Sequence, residues 1–341
     1  MNRLVKQRIE KLASKGPKNV LAGGLKGIEK ESLRVLPDGR LSDSPHPERL
    51  GSAMTHQFIT TDFSESLLEF VTPAQANTWE ALRVLCEIHQ FTYERIGDEL
   101  LWVTSMPCVM ADDASIPLAR YGSSNVGKMK TVYRNGLGLR YGRKMQTIAG
   151  VHFNYSYPDE FWSIWKSVIG ANGETGSFVS EAYIGMVRNL QRYGWLVPYL
   201  FGASPAICAS FLGAQPTSLD KWREFSYYAP YATSLRMGDI GYQNHKEDEA
   251  GIKVNYNSLE GYVHSLQHAI STPFPAYQAI EMVRDGKWQQ LNANILQIEN
   301  EYYSSVRPKQ ILQGEEKPSL ALARRGVAYL ELRSLDVNAY E

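Results

Sequence analysis

The stretch AGVHFNYSYP, residues 149 to 158, alternates without a break: Val151, Phe153 and Tyr155 fall on one side, His152, Asn154 and Ser156 on the other. A period of two belongs to a β-strand, and a strand with one apolar and one polar face needs a sheet packed on one side only. This constrains the chain more than any other feature, because other segments repeat it. In GIEKESLRV, residues 27 to 35, Glu29 and Glu31 share one face of a strand about 7 Å apart, with Lys30 and Arg34 on the other. In YLELRSLD, residues 329 to 336, Glu331 and Arg333 share a face with Tyr329, opposite Leu330 and Leu332. TTDFSESLLEFVTP, residues 60 to 73, places Asp62 in a polar turn and Glu69 amid Leu67, Leu68, Phe70 and Val71.

The strand candidates are 26–35, 65–72, 147–157, 290–299 and 327–335, while helical spacing recurs over 77–98, around 178–193 and around 258–270. Strands and helices do not alternate regularly as in a doubly wound sheet, so an α+β architecture with an antiparallel sheet is expected. The N-terminal MNRLVKQRIEKLASKG reads as a short amphipathic helix and lacks the apolar core of a signal peptide. The turn-rich 35–52 and the charged 244–251 read as surface loops.

With 341 residues and 43% apolar content the chain can bury a large core. Lys plus Arg and Asp plus Glu both number 36, which leaves no nucleic-acid footprint and points to a small-molecule partner. Cys86, Cys108 and Cys208 are widely spaced and outside any CxxC pattern, as suits a reducing cytoplasm. Residues 194–213 carry no charge, long enough to span a bilayer, but Pro198 and Pro205 make a buried interior segment the better expectation than a membrane span.

Each charged position has a plain structural reading. Glu29 and Glu31 suit an exposed strand or helix of mixed charge, Glu69 an outward edge position, His152 a satisfied polar site, and Glu331 with Arg333 a cross-strand ion pair. Taken together, four strand-like segments with acidic, imidazole or guanidinium groups on one face would form a polar floor for divalent cations and phosphates. Oxygen-dominated ligation points to Mg²⁺, with Mn²⁺ as a substitute, and carboxylates plus nucleotide phosphates point to phosphoryl transfer. GSSNVGKM, residues 122 to 129, misses a P-loop because Met129 stands where the metal-binding hydroxyl belongs. His264 and His268 read as a solvated helix face.

The segments GIEKESLRV, LGSAMTHQFITTDFSESLLEFVTP, MPC at 106–108, QTIAGVHFNYSYP, YGWLVPYLFGASPAICASFL and LELRSLDVN, in this order, resemble the proteobacterial-type glutamate–cysteine ligase family. The resemblance implies a glutamine synthetase-like fold, a curved, mainly antiparallel sheet with helices packed behind it, as one catalytic domain over 1–341. It implies ATP-dependent joining of the γ-carboxylate of L-glutamate to the amine of L-cysteine through γ-glutamyl phosphate, the first step of glutathione synthesis. Carried over by resemblance, Glu29, Glu31, Asp62, Glu69, His152 and Glu331 are the magnesium ligands, Arg333 the γ-phosphate clamp and Arg134 a second cationic stabiliser. Phe63, Tyr133, Leu137, Gln146, Arg236, Tyr242 and Tyr303 are the expected lining of the cysteine site. The resemblance also implies further chain beyond LELRSLD, whereas this sequence stops at Glu341, so a C-terminally shortened form is expected. A ligase of the same fold with another amine acceptor, or an inactive ATP- or metal-binding fragment, are the alternatives.

Overall fold

The computed structural model describes residues 3–16, 20–107, 109–241 and 252–338. Strands and helices are numbered below in chain order. The central strand is β1 (Leu25–Val35), flanked by β5 (Gly150–Ser156) on one side and β3 (Leu67–Val71) on the other. β2 (Ile59–Thr61) lies outside β3, and β12 (Tyr329–Asp336) then β11 (Val306–Lys309) lie outside β5. The order is β11-β12-β5-β1-β3-β2, with β4 (Leu100–Leu101) pairing the end of β1, and each of these pairings is antiparallel. A separate sheet holds β6 (Ala206–Cys208), β7 (Asp220–Arg223) and β8 (Ser226–Tyr228), and β9 (Val283–Arg284) pairs β10 (Lys287–Trp288).

Register decides which side chains meet. Glu29 lies opposite His152, Glu31 opposite Glu69, and Glu331 opposite Asn154. Directly opposed residues point to the same face, so the acids and the imidazole gather on one side. Lys30 lies opposite Val151 and Phe70, on the other side.

Helices pack around this frame. α1 (Arg3–Lys15) packs on α4 (Asp159–Ile169), and α2 (Thr78–Tyr93) crosses β1 and β3. α3 (Asn125–Tyr141) brings Leu137 into a cluster with Phe63, Met106, Ile116 and Ile148. α5 (Thr175–Tyr193) packs on β11 and α6 (Leu196–Phe201) on β12. α7 (Leu259–Ser271) packs on α8 (Pro318–Arg325), and the largest core cluster runs from Phe161, Trp162, Tyr183 and Val187 to Leu266, Leu322 and Leu330. Side-chain caps start three of these helices: Asn77 accepts from Trp79 N, Ser124 from Gly127 N and Ser258 from Gly261 N. The GSSNVGKM stretch is thus a capped helix start, and His264 and His268 are exposed on α7.

Three expectations are corrected. Residues 290–299 form no strand, because side-chain amides satisfy the backbone locally: Asn292 Oδ1 accepts from Asn294 N, Asn292 Nδ2 donates to the Gln297 carbonyl, and Gln297 Oε1 accepts from Leu291 N, each at 3.0 Å. Residues 194–213 do not form a buried interior segment. Gly202 and Pro205 break them into short pieces, and α6 covers β12 with one side while Trp195, Tyr199, Leu200 and Phe201 stay at least half exposed. Among the described residues, no helix is long and apolar enough to cross a membrane. The 35–52 loop is not purely superficial, since Ser42 and Leu50 are buried. The other expected loop, 244–251, lies outside the described residues.

The guanidinium of Arg34 explains why that loop turns inward. It is fully buried on the apolar side of β1, pairs with Glu99, and donates from Nη2 to the carbonyls of Ser44, Pro45 and Glu65 at 2.7, 3.1 and 3.0 Å. A buried charge persists only when paired and hydrogen-bonded, so the loop carbonyls are held against it. Arg34→Met removes the charge but leaves Glu99 and three carbonyls without their donor. Urea unfolding is expected to show a loss of about 3–5 kcal/mol; a loss under about 1 kcal/mol, the level of an exposed pair, would contradict this account of the loop.

Candidate active site

The polar face of the sheet draws one residue or two from each of several strands. Glu29 and Glu31 come from β1, Glu69 from β3, His152 from β5 and Glu331 from β12, while Asp62 directly follows β2. Ligating atoms of Glu29, His152 and Glu331 all lie within 4.8 Å of one another. His152 Nδ1 is 3.2 Å from Glu29 Oε2, and its Nε2 is 3.8 Å from Glu31 Oε1. The ring therefore stands between two carboxylate groups, the second being Glu31 with Asp62 and Glu69, whose charges act on one another.

So many acids on one face are held by a few cationic and neutral donors. Arg333 Nη1 donates to Glu331 Oε1 at 3.0 Å, and Lys309 Nζ is 3.3 Å from Glu331 Oε2. Asn154 Nδ2 donates to Glu29 Oε1 at 2.8 Å, and the Gly150 N–H donates to Glu31 Oε2 at 2.6 Å. Burial alone would raise Glu331, but Arg333, Lys309 and His152 outweigh it and hold its carboxyl well below the usual range. Burial also opposes charge on Glu29, and its contact with His152 wins, lowering it. The other group behaves oppositely. Burial and Asp62 push Glu31 up to about 8, and burial with Asp62, Glu29 and Glu31 pushes Glu69 well up.

Burial and Arg333 lower His152, so its imidazole is neutral near pH 7. Its Nδ1 also lies 3.3 Å from Arg333 Nη1. A neutral ring can donate from Nδ1 to Glu29 or accept there from Arg333, but not both.

The donor set fits a hard divalent cation. Carboxylate oxygens dominate, one imidazole joins them, and Glu331 Oε2 is buried, faces the Lys309 ammonium at 3.3 Å and accepts no hydrogen bond among the described residues. Mg²⁺ or Mn²⁺ suits such a set.

The remaining predicted residues lie around this floor. Phe63 follows Asp62 in the chain and packs in one apolar cluster with Leu137, with Tyr133 against it. Gln146 is buried in a 3₁₀ turn that leads into β5. Arg236 is buried too: Nη2 donates to the Arg333 carbonyl at 2.7 Å, and Nη1 lies 3.8 Å from Asp336 Oδ1. Tyr303 donates from its hydroxyl to Met237 Sδ at 3.4 Å, in the same neighbourhood. Arg134 donates from Nε to the Asp62 carbonyl and stacks 4.6 Å from the Tyr121 ring centroid. Tyr242 lies outside the described residues.

Sequence reasoning left out three contributors. Asn154 already stood in the polar row of GVHFN, so its signal was present. Gly150 was not separable from any other glycine, and Lys309 sits in VRPK, where Pro308 argues against a strand. That strand is β11, an outer strand of the sheet, where a missing donor is tolerated.

With this geometry in hand, comparisons with known proteins are decisive. A profile of the family described as Glutamate-cysteine ligase matches residues 9–341. The chain belongs to the glutamate–cysteine ligase family. It is 53% identical over 342 aligned residues to the glutamate–cysteine ligase of Alcanivorax borkumensis, covering 99% of this chain and 65% of that relative. To the Pseudomonas aeruginosa PAO1 enzyme of the same name it is 49% identical over 340, covering 100% and 64%. The crystal structure of the Francisella tularensis glutamate–cysteine ligase in complex with AMP resembles it with a TM-score of 0.86 at 40% identity, over 94% of this chain and 62% of that one. A bifunctional glutathione synthetase from Pasteurella multocida gives 0.75 at 28% identity, over 98% and 38%. The chain thus spans about 65% of the length of the curated relatives it matches.

Two outcomes test the site without reference to turnover. Glu31 is raised from 4.5 to about 8, so its protonated form stabilises the metal-free fold fully below about pH 4.5, and this contribution is lost as pH rises through about 8. A divalent cation competes with that proton. The rise in Tm on adding Mg²⁺ is expected to grow from about pH 6 to about pH 9, and Glu31→Gln to flatten that dependence. A pH-independent rise in the parent chain would contradict it.

Gly150 is the other handle. A Cβ there would overlap the Arg236 guanidinium, which already bonds Arg333. Gly150→Ala is expected to cost about 1–3 kcal/mol by overpacking and to weaken Mn²⁺ binding, read by electron paramagnetic resonance. Unchanged Mn²⁺ affinity would show that this close approach does not support the site.

Proposed function

We propose that the chain catalyses ATP-dependent ligation of L-glutamate, through its γ-carboxylate, to the amine of L-cysteine, in the cytoplasm, with residues 1–341 as one catalytic domain. One observation carries the reading in a chain of this family: Glu29, His152 and Glu331 converge beside Arg333 on a buried sheet face. That arrangement suits phosphate oxygens and a divalent cation together. Unpaired Cys86 and Cys208 agree with a reducing compartment.

A carboxylate is a poor electrophile. Transfer of the γ-phosphoryl group of ATP to the glutamate γ-carboxylate makes γ-glutamyl phosphate and ADP; the cysteine amine then attacks the acyl carbon, loses a proton and expels phosphate. Glu29, His152 and Glu331 would hold one Mg²⁺, and Glu31, Asp62 and Glu69 others, with Mn²⁺ as a substitute. Bound there, the cation supplies Lewis-acid charge to the nucleotide's phosphate oxygens.

The chain's own residues do the rest in this reading. Arg333 carries a buried guanidinium whose Nε has no hydrogen-bond partner among the described residues, and it can exchange its Glu331 contact for a phosphoryl oxygen. Arg134, anchored on the Asp62 carbonyl, provides a second positive charge on the side of α3. Phe63, Leu137 and Tyr133 form an apolar wall that suits a thiomethyl side chain, and Gln146 and Tyr303 join it by resemblance. Arg236 acts from beneath, and Tyr242 completes the expected set by resemblance. Protonation of Glu31 and Glu69 lowers the repulsion among the carboxylates until cations arrive.

Purified protein given ATP, Mg²⁺ and L-glutamate is expected to release ADP only when cysteine is added, with γ-glutamylcysteine seen by mass spectrometry. Glu29→Gln keeps volume and removes charge, and is expected to lower kcat by about 10²–10³-fold with the circular dichroism spectrum unchanged. Turnover with other amines but not cysteine would overturn the acceptor; a folded protein that binds ATP·Mg²⁺ without any ADP release would overturn the activity.

A further inference from the structure

Two cations stand one turn apart on α3 and meet the same aromatic ring. Lys130 Nζ lies 5.0 Å and Arg134 Cζ 4.6 Å from the centroid of Tyr121, and residues four apart share one side of a helix. The ring is held firmly. Tyr121 is buried, and its hydroxyl lies 2.6 Å from the Thr61 carbonyl, 3.0 Å from the Asp62 carbonyl and 3.1 Å from Thr61 Oγ1. The platform under both cations is therefore fixed to the segment that carries Asp62, at the β2 end of the acidic floor.

Neither charge is answered there. Arg134 donates from Nε to the Asp62 carbonyl and from Nη1 to the Lys130 carbonyl at 3.1 Å, which are neutral acceptors. Among the described residues, no carboxylate is within ion-pairing distance of either side chain. The buried guanidinium groups of Arg34, Arg140 and Arg333, by contrast, each meet a carboxylate. Stacking on a ring eases a half-buried charge but does not neutralise it, and it leaves the two cations repelling one another. Burial, and after it the nearby Arg134, lower Lys130 accordingly. Glu69, whose field reaches both, is itself pushed toward its neutral form.

Two like charges kept together call for an anion that carries more than one charge. An amino-acid carboxylate would be met by Arg134 alone, whereas a phosphate chain offers successive charged oxygens, one for a guanidinium fork and one for an ammonium. We propose that Lys130 is a further phosphate-binding residue: with Arg134 it grips the polyphosphate chain of the nucleotide from the β2 end of the floor, as Arg333 does from β12. This role rests on ATP as the phosphoryl donor, yet affinity for the phosphate chain can be read without turnover.

Inorganic tripolyphosphate and a non-hydrolysable ATP analogue, each with Mg²⁺, are the probes, and isothermal titration calorimetry reads their Kd. Lys130→Met keeps the apolar stem and removes the charge, and is expected to weaken both probes at least about tenfold. Lys130→Arg should restore most of that affinity. Because no carboxylate loses a partner, the urea midpoint of Lys130→Met should not fall. Equal affinities in the parent and Lys130→Met would overturn the assignment, and so would a lower urea midpoint with affinity that Lys130→Arg fails to restore, which marks a packing role. Tripolyphosphate affinity that depends on Lys130 in a chain that releases no ADP would sink the ligation and keep the clamp. Cysteine-dependent ADP release with the same KM for ATP in the parent and Lys130→Met would keep the ligation and sink the clamp.

Discussion

Electrostatic repulsion on one face of an antiparallel sheet is the constraint on which the rest of the structure depends. Glu29, Glu31, Asp62, Glu69 and Glu331 would repel one another if all were ionised and unpaired, and the strands that carry Glu29, Glu31 and Glu69 are held side by side by backbone bonds, with Glu331 one strand further on beyond β5. Relief comes in two forms. Around Glu331 it is charge, from Arg333 and Lys309; around Glu31 and Glu69 it is the proton that burial and neighbouring carboxylates retain. One face therefore holds Glu331 and Glu29, shifted toward the ionised form, and across the His152 ring Glu31 and Glu69, shifted toward the protonated form.

The surrounding elements follow from keeping that face polar and the other apolar. Because Lys30 and Arg34 point away from the acids, β1 carries cations on its packed side, and each is handled differently. Arg34 draws in a loop and Glu99, at full burial. Among the described residues Lys30 meets Ser32, His89 and the Phe70 ring, on the floor of a cavity between α2 and α6. The same strand thus generates a closed ion network at one end and an open apolar groove further along.

The local signals were legible. Alternation in GVHFN and LELR identifies β5 and β12, and GIEKES is a strand candidate that its own periodicity leaves open against a helix; once each is a strand, parity alone says which residues share a face. Helical spacing found α2, α5 and α7. Segment 290–299 misled because its apolar positions alternate as in a strand, while its Asn and Gln side chains compete for the backbone. Segment 194–213 misled because apolar content alone does not say whether side chains are buried, and Trp195, Tyr199, Leu200 and Phe201 stay exposed. At the site, Asn154 was readable but Lys309 and Gly150 were not, since one lies in a strand containing proline and the other contributes only its N–H.

By itself the sequence determined the alternation of GVHFN and LELR, which residues of a segment share a face once it is a strand, and by resemblance the family. Those properties follow from nearest neighbours along the chain. Only the tertiary structure decided that Glu29 faces His152 while Glu31 faces Glu69, because antiparallel register depends on pairing between strands separated by as many as some 180 residues. It also decided which acids keep their protons. A carboxylate's charge depends on the cations and the burial that folding brings to it, and no local pattern records either.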